Sequence, residues 1–300
     1  MSDKVIPGTS RTALRFVVEN WQELFIVSIV PLILFICIMG LLMYRMMGML
    51  EFFGDLDPKS PQFPAEFMSQ YMHMLPWSLG LGLLLGLCMA WLYVRMTRFW
   101  KSGHASLLVS DKGEFSAAAY TLAYAIGIGI LTSFAYIVVM IVAFLTGALV
   151  VGLAHLVPIF YVLLVPLFAT VYFSLIWFST RFHLAMPQVA LGETPNLLPD
   201  VWNLSKGESF AVPLRVLLAM LVISIPVFAV EFAFIFPQMQ ALQQATQDPG
   251  NPKLAFEMFT QFWYKLLPLH IFGIVVMLLM MAYFTVFFAE ANARLRGRRS

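Results

Sequence analysis

The sequence predicts an all-α membrane protein: six transmembrane helices arranged as three hairpins, with short interfacial cytoplasmic helices. Three observations predict it. Of the 300 residues, 61% are hydrophobic and only 11% charged, against roughly 45–50% and 25% in soluble globular chains. The apolar residues fall in runs long enough to cross a hydrocarbon slab about 30 Å thick, which takes about 20 residues of helix. Lysine and arginine are concentrated in alternate connecting segments.

The spans follow in order as a single polytopic domain over 1–300. The first covers about 24–44 and the second about 76–96. One apolar stretch from Ala117 to Phe182 is too long for a single helix and divides into spans at about 122–148 and 157–180. Gly147, Gly152, His155 and Pro158 mark the expected turn between them. The fifth covers about 212–236 and the sixth about 264–288. Helices are the expected spanning form because a backbone group in lipid must bond within its own segment. Ten-residue alternating segments of the barrel type are absent.

Charge sets the expected orientation. Fourteen of the 18 Lys and Arg residues lie at the N-terminus, after the second span, between the fourth and fifth, and at the C-terminus. By the positive-inside rule both termini are cytoplasmic. The opposite loops hold Arg45, Lys59, Lys253 and Lys265. Phe52, Phe53, Trp77, Phe262, Trp263 and Tyr264 cluster at span ends, where aromatic rings suit the interface. The first apolar run starts near Leu24, is longer than a signal-peptide core and has no small-residue cleavage site after it, so a cleaved leader is not expected.

Short segments that suit the membrane surface precede the odd spans: Arg11 to Trp21, His104 to Tyr120, and Pro195 to Lys206. Arg98-Phe99 and Arg181-Phe182 also superpose at an offset of about 83 residues, with Glu114 falling near Glu193. A threefold hairpin repeat would produce this pattern. So would any set of basic inner loops.

The most distinctive stretch runs from Arg181 to Glu208. Thr194-Pro195 or Pro199 could begin a helix there, and Lys206-Gly207 could stop it. Val201, Trp202 and Leu204 would enter the interface while Asn203, Ser205 and Lys206 face headgroups. The functional reading is a lipid-contacting or partner-docking element built on Arg98, Arg181, Glu193, Trp202 and Lys206. The plainer one is a connector lying on the bilayer.

Charge in lipid costs at least ~2.5 kcal/mol at the centre, so Glu231 and Lys265, on facing ends of spans five and six, form a candidate intramembrane polar pair. Arg45 is an alternative partner for Glu231. His155 and His270 have no spaced His, Asp or Glu companion, which suits isolated polar groups better than ligands. Cys37 and Cys88 both fall in apolar runs and read as small core residues. Gly80, Gly82 and Gly86, with Gly127, Gly129 and Ser133, predict close helix packing or, less simply, a broken helix lining a site.

Enzyme motifs are missing: there is no Walker A loop, HExxH, GxSxG or CxxC. No catalytic, cofactor-binding or metal-ligating residue is therefore assigned, and no cofactor is expected. The basic run from Arg294 to Arg299 suits a positive-inside anchor or anionic headgroups.

The inner segment resembles the membrane domain of bacterial glycerophosphodiester phosphodiesterases and YciC-like integral membrane proteins. The matching residues are Arg181, Pro187, Glu193, Trp202, Leu204 and Gly207, over about 30 residues. Val201 replaces the serine usual before the tryptophan, and Pro199-Asp200 departs from a helix-forming run. The resemblance implies the membrane fold and a place in the bacterial inner membrane. It implies no chemistry, since catalysis in those phosphodiesterases belongs to a separate soluble barrel. The expected function is a non-catalytic, lipid-contacting scaffold or accessory subunit of an envelope complex, with membrane lipids and other membrane proteins as partners and no nucleic acid. The alternative is a transporter or channel for a small or lipidic solute.

Overall fold

A computed structural model describes residues 5–55, 63–104, 113–154, 162, 164–193, 199–206, 208, 210–246 and 267–297. Among these the chain is all helical, with no strands. The helices are α1 (Val5–Glu19), α2 (Trp21–Asp55), α3 (Phe63–Ser102), α4 (Gly113–Ala154), α5 (Leu164–His183), α6 (Met186–Ala190), α7 (Pro199–Leu204), α8 (Ala211–Thr246) and α9 (Leu267–Gly297).

Five of them are long and apolar enough to cross a membrane, over Trp21–Arg45, Tyr71–Ser102, Gly113–Ala148, Ala211–Pro237 and Ile271–Gly297. This is the pattern of a multi-pass membrane protein. These stretches contain the first, second, third and fifth expected spans and most of the sixth, whose opening at 264–266 lies outside the described residues. For the fourth, α5 covers 164–180 with 20 residues in all.

Helix α1 is short and amphipathic. Thr9, Ala13 and Val17 recur every four residues and are buried, while Leu14 and Val18 are more than half exposed. The buried stripe packs on α9. Gly8 makes the approach possible: a Cβ there would stand 2.5 Å from Nη1 of Arg294. One residue separates α1 from α2. The Asn20 side-chain amide donates to the Phe16 carbonyl at 2.8 Å, alongside the Asn20 N–H at 3.0 Å.

The long helices form a closed sequence of neighbours. α3 packs on α4, α4 on α5, α5 on α8, α8 on α9, and α9 returns to α3. α2 lies against α3, outside this ring. α6 touches α3, α4, α5 and α9 at once, so it sits inside one end of the ring. Arg95, Arg98, Arg181, Arg294 and Arg296 gather at that end, the basic end. The buried residues gather there too. Most come from Thr9 to Ser28, Cys88 to Phe99, Glu114 to Ile128, Thr180 to Ala190, Leu204 to Val216 and Ala282 to Leu295. Away from it the helices are exposed. In α4 and α8 only 6% of the most apolar window is buried.

Several expectations change. Gly147 and Gly152 do not mark a turn, because α4 continues through both to Ala154. With few polar partners nearby, the helix is the conformation that satisfies these backbone groups. His155 and Pro158 lie outside the described residues. The segment to Tyr120 is not a separate surface helix. From Gly113 it is the first part of α4, propagated by Ala117, Ala118 and Ala119. The helix after the distinctive stretch starts at Pro199 and has only six residues; Thr194 and Pro195 are not among the described residues.

Of the glycines expected at close contacts, only Gly86 makes one, 3.0 Å from Leu122 Cδ1 for an added Cβ. Gly80, Gly82, Gly127 and Gly129 have nothing within 4 Å, because their helices have diverged at those levels. Cys88 is buried as expected, but Cys37 is exposed on the apolar surface of α2.

Candidate functional site

The site is built around the end of α5. The chain leaves that helix after His183 and folds α6 back into the ring, with Pro187 in the first turn, where its missing N–H costs nothing. All five residues of α6 are buried. Its far end closes in a Schellman arrangement: Glu193 N–H donates to the Gln188 carbonyl at 2.9 Å and Gly192 N–H to Val189 at 3.0 Å. Gly192 takes φ of +85°, which a Cβ would strain. That turn presents Glu193 to Arg296 of α9, with Oε2 and Nη1 2.8 Å apart.

At the break after α5, side chains from other helices reach the main chain. The Asn292 amide donates to the Leu184 carbonyl at 2.6 Å, and the Tyr124 hydroxyl donates at 3.1 Å to the Phe182 carbonyl, which also accepts the Ala185 N–H. A buried acceptor left alone costs about 1–3 kcal/mol, which gives the Asn292 bond its weight. The two bonds tie the junction of α5 and α6 to α9 and α4.

Arg181 lies in the corner between two indole rings, with a cation–π contact to each. Its guanidinium is 4.1 Å from the Trp177 ring centre and 4.2 Å from that of Trp202. The two indoles stand at 89° to one another. Trp202 thus pins α7 to α5 and still leaves nearly half its surface exposed. A second cluster joins α3 to the first turn of α4. Arg95 Nε and Glu114 Oε1 are 3.2 Å apart and almost fully buried, and the Trp91 indole donates to the same oxygen at 2.9 Å. Glu114 also benefits from the positive end of α4.

Inside the ring, directly against α6, lies a cavity of about 490 Å³. Its walls are mostly apolar, with hydroxyls from Tyr93, Thr132, Ser179, Thr180 and Thr285, and His183 among them. Thr285 is fully buried and its hydroxyl has no partner among the described residues. His183 Nδ1 is 2.8 Å from the Ser179 carbonyl. A carbonyl only accepts, so Nδ1 carries the proton and Nε2 is left as an acceptor in the neutral ring. A further recess of about 440 Å³ shares Thr132, Leu175, Ser179 and His183 and extends between α4 and α5 past Gly129 and Tyr136. Neither lining includes Asp, Glu, Lys or Arg.

The structure brings together Arg181 and Trp202, and ties Glu193 to α9. Arg98 is half-buried at the same end, and Lys206 is exposed in the turn after α7. Pro187 and Leu204, which also carry the family resemblance, are buried here; Gly207 is outside the described residues. The second candidate pair includes Lys265, which lies outside the described residues. Arg45 lies over Trp77, 5.4 Å from its ring centre, instead of against Glu231. Glu231 is half-buried on α8, and the Lys265 and His270 side chains are outside the described set.

Sequence reasoning missed the cavity and the Arg95–Glu114 pair. Glu114, in a segment that also carries Arg95, Arg98, Lys101 and Lys112, was the available signal for the pair. The cavity had none, because its hydroxyls come from four separate helices. Among the described residues no group of three or more His, Cys, Asp or Glu could hold a metal ion. Comparison with protein-family models, with curated proteins and with solved structures finds no match to this chain.

Proposed function

We propose that this chain is a non-catalytic integral protein of the bacterial inner membrane. On this reading it has six spans in three hairpins and cytoplasmic termini, and it acts as a lipid-contacting scaffold or an accessory subunit of an envelope complex. The observation that carries the reading is the uneven burial of α4 and α8. Only 6% of their most apolar windows is buried within the chain itself, and such surface calls for lipid or another membrane protein. The contacts α2–α3, α4–α5 and α8–α9 support the three pairs. The 20 residues of α5 support the sixth span, and the segregated bases support the orientation. The resemblance carried by Arg181, Pro187, Glu193, Trp202 and Leu204 points the same way.

Gentle extraction followed by mass spectrometry of what stays bound tests the proposal. Retained phospholipid, or a stoichiometric membrane-protein partner, is the expected result. Turnover of lipid by the purified protein in vesicles would overturn it. A cysteine at Lys59 that labels only from the inside would overturn the orientation.

The cavity favours a second reading, a transporter for a small or lipidic solute. Its uncharged, hydroxyl-bearing lining suits a neutral or amphiphilic molecule. Solute uptake into proteoliposomes that Thr285→Leu abolishes would choose this reading over the first.

A further inference from the structure

A separate groove of about 500 Å³ runs between α1, α8 and α9. Its α8 wall is one helical stripe that includes Arg215, Leu218, Val222 and Val227. From Arg215 to Val227 is twelve residues, or about 18 Å of helix rise. One leaflet of a hydrocarbon slab is about 15 Å deep. The groove therefore has the depth of a single leaflet. Arg215 begins the α8 stripe and Ser10 the α1 stripe, and Tyr283 of α9 is the remaining polar side chain in the lining. Arg215 is exposed and makes no ion pair among the described residues. The Ser10 hydroxyl of α1 is buried there without a partner. Below them the walls are apolar and uncovered: Val222 is 71% exposed, Leu279 51% and Leu218 46%. No acidic residue lines the groove.

We infer that this groove is a binding site for one acyl chain of an anionic phospholipid, with the headgroup phosphate held by Arg215 and Ser10. The inference rests on the lipid-contacting reading and adds to it a place and a lipid class. Three features select this occupant. A cation and a free hydroxyl at the mouth suit a phosphate, which has only acceptors to offer them. The amphipathic α1 forms one lip, and an amphipathic helix with one apolar face suits the headgroup boundary. The groove is also a slot lined by bare apolar side chains from three helices, the shape a flexible acyl chain fills.

The test uses the full chain reconstituted in vesicles of equal phosphatidylglycerol and phosphatidylcholine, extracted gently, with retained lipid counted by native mass spectrometry. The wild type should retain phosphatidylglycerol preferentially. Arg215→Gln should reduce that preference about fivefold and Arg215→Lys should restore most of it. Val222→Trp should fill the groove and lose the retained lipid, while Leu145→Trp, on the exposed face of α4, should not. Matching size-exclusion profiles identify folded variants. If lipid is retained but neither Arg215→Gln nor Val222→Trp changes it, the groove assignment is wrong and the lipid-contacting reading stands. If no variant, nor the wild type, retains any lipid, both fail.

Discussion

Arg95 and Glu114 show how an interior pair of charges is sustained at the residue scale. Taking both out of water is costly, and their attraction offsets this only when the remaining bonding capacity is used. The Trp91 indole supplies that bond on the acid. Glu114→Gln leaves a buried guanidinium without its counter-charge, and the expected loss is about 3–5 kcal/mol. The double variant Arg95→Met with Glu114→Leu should recover most of it. Thermal unfolding in detergent checks both, and equal losses in the single and double variants would refute the pairing. Arg181 makes a different prediction. Its two indole contacts are each worth up to about 2 kcal/mol when desolvated, and lysine has no planar face to lay on a ring. Arg181→Lys should therefore destabilise, and Trp202→Leu should cost much less in that background than in the wild type. A double-mutant cycle reads the difference. Arg181, Trp202 and Glu193 were legible in sequence as a distinctive group. Their actual use was not, because the paired cation–π contacts need Trp177 from within a span, and Glu193 needs Arg296 from the far end of the chain.

At the element scale α6 is the telling case. Five residues form no stable helix by themselves. Its shape comes from Pro187 at the start, Gly192 at the end, and the bonds from Asn292 and Tyr124 to the carbonyls beside it. Gly192→Ala forces a Cβ onto a φ of +85° and should cost about 1–2 kcal/mol. It should also loosen the Glu193–Arg296 contact, which proteolysis near residue 193 would report. The glycines of α3 give a paired test. Gly82→Ala meets nothing within 4 Å and should be neutral or stabilise by up to about 1 kcal/mol. Gly86→Ala brings a Cβ to 3.0 Å from Leu122 Cδ1 and should give less, or destabilise. A helix unfolding assay that ranks Gly86→Ala above Gly82→Ala would contradict the contact. From sequence the two glycines were indistinguishable, since spacing shows a small-residue face but not whether another helix lies on it.

For the whole molecule, burial is concentrated at the basic end while the helices stand exposed over the remainder. Hydrogen exchange in a detergent micelle should reflect this, with α6 and the adjoining ends of α3, α4 and α9 exchanging most slowly. Uniform protection along α4 would show that its exposed part is covered by something tighter than detergent. The ring also explains why a cavity exists. Five helices that meet at one end around a short plug cannot close along their full length without a second layer of side chains to fill the centre.

The sequence by itself determined that the chain is helical, that its helices are apolar enough to cross a membrane, and that its bases are concentrated in alternate connections. Composition and run length suffice for this, because the cost of an unpaired backbone group or a charge in hydrocarbon acts locally, residue by residue. Only the tertiary structure decided that α4 runs unbroken through Gly147 and Gly152, that α6 is folded into the ring, and which hydroxyls line the cavity. Those outcomes depend on contacts between residues as far apart as Leu184 and Asn292. No local pattern in a uniformly apolar chain distinguishes a helix face that meets a neighbour from one that meets lipid.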